Sequence, residues 1–194
     1  SNGSLPDEAL VHWINTEESL FRALEDCIVG DTVREGFADV DTFVGYSLSV
    51  HNRRKSRMGH ALENHLEALF SFHELQYQPQ VRTERGSTID FLFPGLAEYS
   101  DGSFPVENLT ALAAKSSCKD RWRQVLAEAD RVQTKHLCTL QQTLSSGQLA
   151  QMNSANVQLV VPTALQETYG PAAQSSMLCL EEFIEFVLGQ QALR

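Results

Sequence analysis

Asp90 lies within an apolar run, Ile89-Asp90-Phe91-Leu92-Phe93, and Lys115 closes another, Leu109-Thr110-Ala111-Leu112-Ala113-Ala114-Lys115. Glu128 falls on the next segment, behind a basic-acidic-basic knot at Lys119-Asp120-Arg121. Two acids and a lysine on neighbouring strand ends and the next helix are the groups a metal-dependent phosphodiesterase needs. Such a reaction requires a nucleophilic water, charge stabilisation at phosphorus and a protonated leaving oxygen. Mg²⁺ supplies much of this, takes hard oxygen ligands and keeps several waters. Asp90 and Glu128 suit it as ligands, and Lys115 would orient or activate the attacking water and offset developing negative charge. Glu63 is the fourth member, as a ligand or acting through water. By spacing alone the plainer reading stays open: Asp90 as a strand-end turn residue, with Lys115 and Glu128 solvated.

The elements that position these groups are read from periodicity. Pro6 to Val29 reads as a helix, opened by Pro6, Asp7 and Glu8, with Leu10, Trp13, Ile14, Leu20, Phe21, Leu24 and Ile28 at helical spacing. Gly30 and Gly36 punctuate the next stretch, and Val40 to Val50 forms another short helix. A basic segment, Asn52–Arg57, leads into a helix from Met58 to Phe72 with the stripe Leu62, Leu66, Leu69 and Phe70. At about 100° per residue, Glu63 borders that stripe while Glu67 points farther toward solvent, so Glu63 is the better functional candidate.

Gln76 to Thr83 reads as an edge strand, with Pro79 at the edge. Thr88–Phe93 is the next strand, with Ile89, Phe91 and Phe93 sharing a face and Asp90 opposite. Residues 95–106 are a loop, and Leu109–Ala114 a central strand. Ser116 or Ser117 caps a helix over Cys118–Val132, on which Arg121 and Glu128 share a flank. Lys135–Gln141 and Val157–Val161 are two further strands, and Met177–Leu188 a closing helix. The alternation predicts an α/β (α+β) fold, a mixed central β-sheet flanked by helices.

The 194 residues fit one domain, residues 6–194, with residues 1–5 read as a cloning scar because Ser1-Asn2-Gly3-Ser4 lacks an initiator Met. No apolar run reaches the ~20 residues of a membrane span. Cys27, Cys118, Cys138 and Cys179 lack zinc-ligand spacing and read as buried reduced thiols, consistent with a cytoplasmic protein. The formal net charge of −10 argues against nucleic acid only on average. Bases cluster at Arg53-Arg54-Lys55-Ser56-Arg57 and from Lys119 to Arg123, and a local positive surface is compatible with a negative total.

Five stretches carry a resemblance: Asn52-Arg53-Arg54-Lys55-Ser56-Arg57, Leu62-Glu63-Asn64-His65-Leu66-Glu67, Asp90-Phe91-Leu92-Phe93-Pro94, Phe104-Pro105-Val106-Glu107-Asn108-Leu109, and above all Cys118-Lys119-Asp120-Arg121-Trp122-Arg123-Gln124. Together they resemble the catalytic C-terminal domain of EcoRII-type restriction endonucleases, over nearly the whole chain. The resemblance implies the restriction-endonuclease-like fold with a variant PD-(D/E)xK site whose second acid has moved to the following helix. Carried over by position, the catalytic set is Glu63, Asp90, Lys115 and Glu128, with Mg²⁺ as cofactor. Lys119, Asp120 and Arg121 match the base-reading segment, in which Lys and Arg donate to guanine and Asp accepts from cytosine. Asn52 matches a minor-groove position, and Arg53, Arg54, Lys55 and Arg57 would hold phosphates.

The resemblance further implies a bacterial or archaeal type II enzyme making double-strand breaks at short, nearly palindromic CC…GG sites (CCWGG-like), acting on double-stranded DNA as a homodimer. Relatives flip central bases against an arginine and an aromatic residue four apart in the first helix. The matching stretch here, Trp13-Ile14-Asn15-Thr16-Glu17-Glu18, lacks that pair, and Trp13 reads as a core residue. His60 stands where a relative carries lysine. Nothing corresponds to the N-terminal effector domain of EcoRII, so the chain reads as an excised catalytic domain or a naturally short enzyme. Two other function classes compete: a catalytically silent DNA-binding module, and a repair or defence nuclease of looser specificity. The intact quartet argues against the silent module. A protein–protein module would leave the Lys119–Arg121 knot unexplained.

Overall fold

A computed structural model describes residues 5–119 and 121–192. Helix α1 (Pro6–Glu35) starts with Pro6 in its first turn, where no N–H is needed, and with Asp7 and Glu8 at the positive end of the helix dipole. It runs through Gly30 and stops only at Gly36, whose φ of 81° is the left-handed conformation glycine adopts without strain. Helix α2 (Val40–Phe72) is capped by Asp39, which accepts from Thr42 N–H at 2.7 Å. The Asn52–Arg57 stretch is therefore mid-helix, not a connector between two helices. Nothing in it breaks the backbone ladder: it holds neither proline nor glycine.

Only the body ends of these helices reach the core. Leu10 and Ile14 of α1 and Ala61, Leu62, Leu66, Leu69 and Phe70 of α2 are buried. Farther out, α1 and α2 pair as a projecting hairpin. It is held by Glu25–Arg54, by Arg57 with Glu17 and Glu18, by Arg57 over the Phe21 ring, and by Phe37 against Phe43 and Tyr46 at the tip.

Five strands come next: β1 (Gln78–Arg82), β2 (Thr88–Phe93), β3 (Thr110–Ala114), β4 (Lys135–Cys138) and β5 (Val157–Val160). They line up in sequence order, with β1–β2 and β2–β3 antiparallel and β3–β4 and β4–β5 parallel. The expected mixed sheet with β3 at its centre is what forms. Residues 95–106 are more structured than a loop: they contain α3 (Leu96–Ser100) and run into a 3-10 turn at Val106–Asn108. Helix α4 (Ser146–Ser154) crosses between β4 and β5 behind a capping box of Ser145 and Gln148. Two short helices, α5 (Thr163–Gln166) and α6 (Pro171–Gln174), lead to α7 (Leu180–Ala192), which starts and ends later than the expected Met177–Leu188.

The sheet separates two apolar layers. On one side Phe70 of α2 meets Phe91, Phe93 and Phe183, with Leu112, Val160, Leu180 and Ile184 around them. On the other side Ile89, Leu92, Ala111, Ala113, Leu137 and Leu159 pack against Trp122, Val125 and Met152. Ile89 thus belongs to the opposite layer from Phe91 and Phe93, against strict alternation. The break falls at Asp90, where the facing strand is distorted: Gln80 has φ +50°. Buried Asp7 ties the layers' ends together, accepting from the N–H groups of Thr163, Leu180 and Glu181 at 2.9–3.0 Å.

The largest departure is at Cys118–Val132. In place of an α-helix there is a 3-10 segment, Trp122–Ala127, ending at Glu128 in extended conformation. In a 3-10 helix side chains three apart align. Trp122, Val125 and Glu128 are all buried, whereas Arg121 is exposed, so Arg121 and Glu128 do not share a flank. The thiols also depart from expectation: Cys118 and Cys138 are buried, but Cys27 is exposed and Cys179 half-exposed. No helix among the described residues is long and apolar enough to cross a membrane.

Candidate active site

β2 and β3 carry the first two groups of the site to one point. Asp90, 5% exposed, accepts from Ala114 N–H at 2.7 Å and from Lys115 Nζ at 2.6 Å, both on Oδ2. Lys115 is fixed just past the end of β3 because its own N–H continues the parallel ladder to Cys138 O, at 2.9 Å. The pair is nearly dry: the side chains are 13% and 7% exposed. In that setting a lysine–aspartate contact is far stronger than at a surface, and removing one member leaves an uncompensated charge.

Two glutamates complete the cluster. Glu63 of α2 reaches it from the helix layer, where Gln80 Nε2 donates to Glu63 Oε2 at 2.9 Å and to Asp90 Oδ1 at 3.3 Å. Burial pushes the Glu63 carboxyl up from its ordinary pKa, and the Asp90 charge adds to this, while Lys115 and His60 oppose. Glu128 enters from the other layer, turned inward by the 3-10 segment. Burial pushes it up to about 7, with Lys115 and Lys135 opposing and Asp90 raising it further. Its Oε2 is buried without a hydrogen-bond partner. The next residue, Ala129, has φ +49° and gives its N–H to Thr83 Oγ1 at 3.1 Å. A left-handed alanine costs about 1–2 kcal/mol, so Glu128 is held at a strained corner.

The donor set suits a hard divalent cation. Three carboxylates crowd one lysine, and the unpartnered Glu128 oxygen is the kind of group a cation satisfies. Among the described residues, no three acidic, imidazole or thiol groups come close enough to cage an ion by themselves.

Glu63 also lines a cleft of about 340 Å³, together with Asn52, Lys55, Ser56, Gly59, His60 and Arg121. Thus Asn52, Lys55 and Arg121, expected to touch DNA, share a cleft with the expected catalytic residue Glu63. Lys119 is exposed, with its carbonyl held by Gln148 Nε2 at 3.1 Å. Asp120 lies outside the described residues. Arg53 is exposed. Arg54 and Arg57 are committed elsewhere: Arg54 Nε sits 2.8 Å from Glu25, and Arg57 pairs with Glu17 and Glu18. The arginines expected to hold phosphates are, at these two positions, engaged in joining α2 to α1. A larger cavity of about 640 Å³ adjoins on the α1 side, between Ile14, Asn15, His51, Lys55, Met58 and Ser116. Trp13 is partly buried at the edge of the core, its ring 5.7 Å from that of His65.

Sequence reasoning missed Gln80 and Lys135. Gln80 had no signal, since its role depends on a distorted edge strand. Lys135 is a buried lysine whose Nζ donates to Val132 O at 3.1 Å, close enough to Glu128 to bias its charge.

Comparison with known proteins shows the family and the fold. The family model described as EcoRII C terminal matches residues 21–184. The chain is 45% identical over 188 residues to the type II restriction enzyme EcoRII of Escherichia coli, an alignment covering 96% of this chain and 46% of that protein. To the type II restriction enzyme SsoII of Shigella sonnei it is 24% identical over 174 residues, covering 84% of this chain and 55% of that one. The chain therefore spans about half the length of the curated relatives it matches. Its fold superposes on metal-depleted Ecl18kI in complex with uncleaved, modified DNA with a TM-score of 0.79 at 19% identity, over 97% of this chain and 70% of that one. It superposes on the restriction endonuclease PspGI bound to substrate DNA with a TM-score of 0.76 at 12% identity, over 98% and 81%. The fold is that of the restriction endonucleases, and the chain belongs to the EcoRII C-terminal domain family.

Proposed function

We propose that this domain is a Mg²⁺-dependent, sequence-specific endonuclease that hydrolyses both strands of DNA at short CC…GG-type sites. The observation that carries the reading is the Asp90–Lys115 contact, with Glu63 and Glu128 in its field and Glu63 lining a cleft it shares with Asn52, Lys55 and Arg121. Asp90 and Glu128 would hold the ion, with Glu63 assisting directly or through water. An ion held there would supply polarisation of the phosphate and make a water more acidic.

The chain's own groups do the rest. Ala114 N–H and Lys115 Nζ fix the Asp90 carboxylate, leaving its Oδ1 toward Gln80. The Lys115 ammonium orients the attacking water and offsets charge growing on phosphorus, an effect amplified by the dry surroundings. Arg121, with Lys119, has the donors to read guanine N7 and O6, and Asp120 the acceptors to read cytosine N4. Asn52, about three turns along α2 from Glu63 and lining the same cleft, suits the minor groove at the centre of the site. Lys55 and Arg53 are the bases of that helix left to contact phosphates.

A two-fold DNA site calls for two copies of the chain related by the same axis. Eight large apolar side chains on the projecting hairpin, Leu20, Leu24, Ile28, Val33, Val40, Phe43, Val44 and Leu48, are 45–73% exposed and support such pairing. The test is digestion of a plasmid carrying many CC…GG sites with Mg²⁺, beside Lys115→Ala. Discrete bands that vanish in the variant, with ends mapping to one sequence, are the expected result. No cleavage, despite binding to the same DNA in Ca²⁺, would overturn the catalytic reading.

A further inference from the structure

Gln80 lies on edge strand β1 between Pro79 and Val81, which pair with Phe91 and Ile89. It therefore stands across from Asp90. Its φ of +50° is a conformation that costs a residue with a β-carbon about 1–2 kcal/mol. Gly would adopt it freely, yet glutamine stands there. The distortion is matched by what the side chain does: one amide nitrogen donates to Glu63 at 2.9 Å and to Asp90 at 3.3 Å. These carboxylates come from different layers of the fold and repel each other. Elsewhere Asp90 is held by Lys115 and Ala114, but on Oδ2 only, and Gln80 is the one side chain hydrogen-bonded to Glu63 among the described residues.

We propose that Gln80 is a positioning residue that sets the distance between Glu63 and Asp90 and so prepares the cluster to receive a divalent cation. The inference rests on the nuclease reading for the identity of the reaction, but its cation-binding part stands apart from it. A neutral amide is suited to the task. A lysine there would compete with the cation by charge, and a hydroxyl would be too short to bridge both carboxylates. Backbone strain at functional positions persists only where the surroundings enforce it, here through the flanking pairs with Phe91 and Ile89.

The experiment compares the unmutated protein with Gln80→Met and Gln80→Gly, measuring Mn²⁺ affinity by calorimetry, thermal stability without metal, and single-turnover cleavage in Mg²⁺. Gln80→Met keeps the length and removes the donors. It is expected to weaken Mn²⁺ binding five- to tenfold and slow cleavage by tenfold or more, with little change in KM for DNA. Gln80→Gly removes the donors and relieves the strain. It is expected to melt at a higher temperature while showing the same functional losses, a combination that a purely structural role does not produce. Gln80→Asn, which keeps the amide on a shorter stem, should restore part of the affinity. Unchanged Mn²⁺ affinity in both Gln80→Met and Gln80→Gly overturns the proposal. If the unmutated protein binds Mn²⁺ but cuts no DNA, the nuclease reading falls and the affinity comparison still decides the role of Gln80. If it binds no Mn²⁺, both fall.

Discussion

Lys115 donates to Asp90 Oδ2 at 2.6 Å, across the β2–β3 pair, and the same oxygen takes the Ala114 N–H at 2.7 Å. One carboxylate oxygen is thus anchored to strand β3 twice, by backbone and by side chain, leaving Oδ1 for other partners. Removing the ammonium leaves the backbone anchor in place. Lys115→Ala is expected to keep its fold and to bind DNA in Ca²⁺ about as well as the unmutated protein, while cleavage falls ~10²–10⁴-fold. Gel-shift titration beside single-turnover kinetics checks the separation; parallel loss of binding and cleavage would show that Lys115 is needed for structure.

Glu128 has an oxygen buried without a partner, in the field of Asp90. Its carboxyl is pushed up to about 7 from 4.5, so the folded state holds its proton where the unfolded chain has lost it. Ionising it opposes folding, and stability falls as pH rises from 4.5 to about 7. Glu128→Gln should therefore be more stable than the unmutated protein at pH 8 without metal, by on the order of 1–2 kcal/mol, yet cut no DNA. Added Mg²⁺ should stabilise the unmutated protein and not the variant. Thermal melts with and without Mg²⁺ decide this.

His136, 5% exposed, lies among Phe183 and Phe186, and its Nδ1 has no partner. Burial holds its pKa down at about 4, against 6.5 for the ordinary group. With the folded value depressed, the unfolded chain binds more protons below pH 6.5. Stability should fall between pH 6.5 and 4, by about 3 kcal/mol from this group alone. Denaturant melts across that range should show the slope, and His136→Phe should flatten it.

Lys55 lines the cleft, while Arg57 is 15% exposed and tied to Glu17, Glu18 and the Phe21 ring. Their substitution should separate cleanly. Lys55→Ala is expected to weaken DNA binding and lower the salt slope by about 1, with stability unchanged. Arg57→Ala is expected to destabilise the α1–α2 hairpin by ~1–2 kcal/mol, because it removes the ties to Glu17 and Glu18, which keep His65 and Arg22 as partners, and uncovers the Phe21 ring. An Arg57→Ala protein of normal stability with a reduced salt slope would return that arginine to the phosphate contacts.

Val40, Val44 and Leu48 recur every four residues along α2, and all are 45% exposed or more. Val44→Glu with Leu48→Glu should leave the monomer folded, since neither side chain enters the core, and shift sedimentation toward a single copy. Double-strand cleavage should then fall more than nicking. A dimer that persists unchanged would place the two-fold contact elsewhere.

Much was legible from the sequence by itself. The apolar runs at Thr88–Phe93 and Thr110–Ala114 and the helical stripes of α1 and α2 are local patterns, and local sterics and burial suffice to read them. The identities of Glu63, Asp90 and Lys115 as chemical groups were legible for the same reason. Tertiary structure alone decided the rest. Glu128 points inward because a three-residue burial pattern closes a 3-10 turn against the second core layer, where an α-helix would have carried it elsewhere. Arg54 and Arg57 turn to α1 because acids distant in sequence lie alongside them, at Glu25, Glu17 and Glu18. Gln80 acquires its place from a kinked edge strand and the strand facing it. Composition fixes which groups are present, but the field and the partners each one meets depend on contacts between segments far apart in the chain, and only folding brings those together.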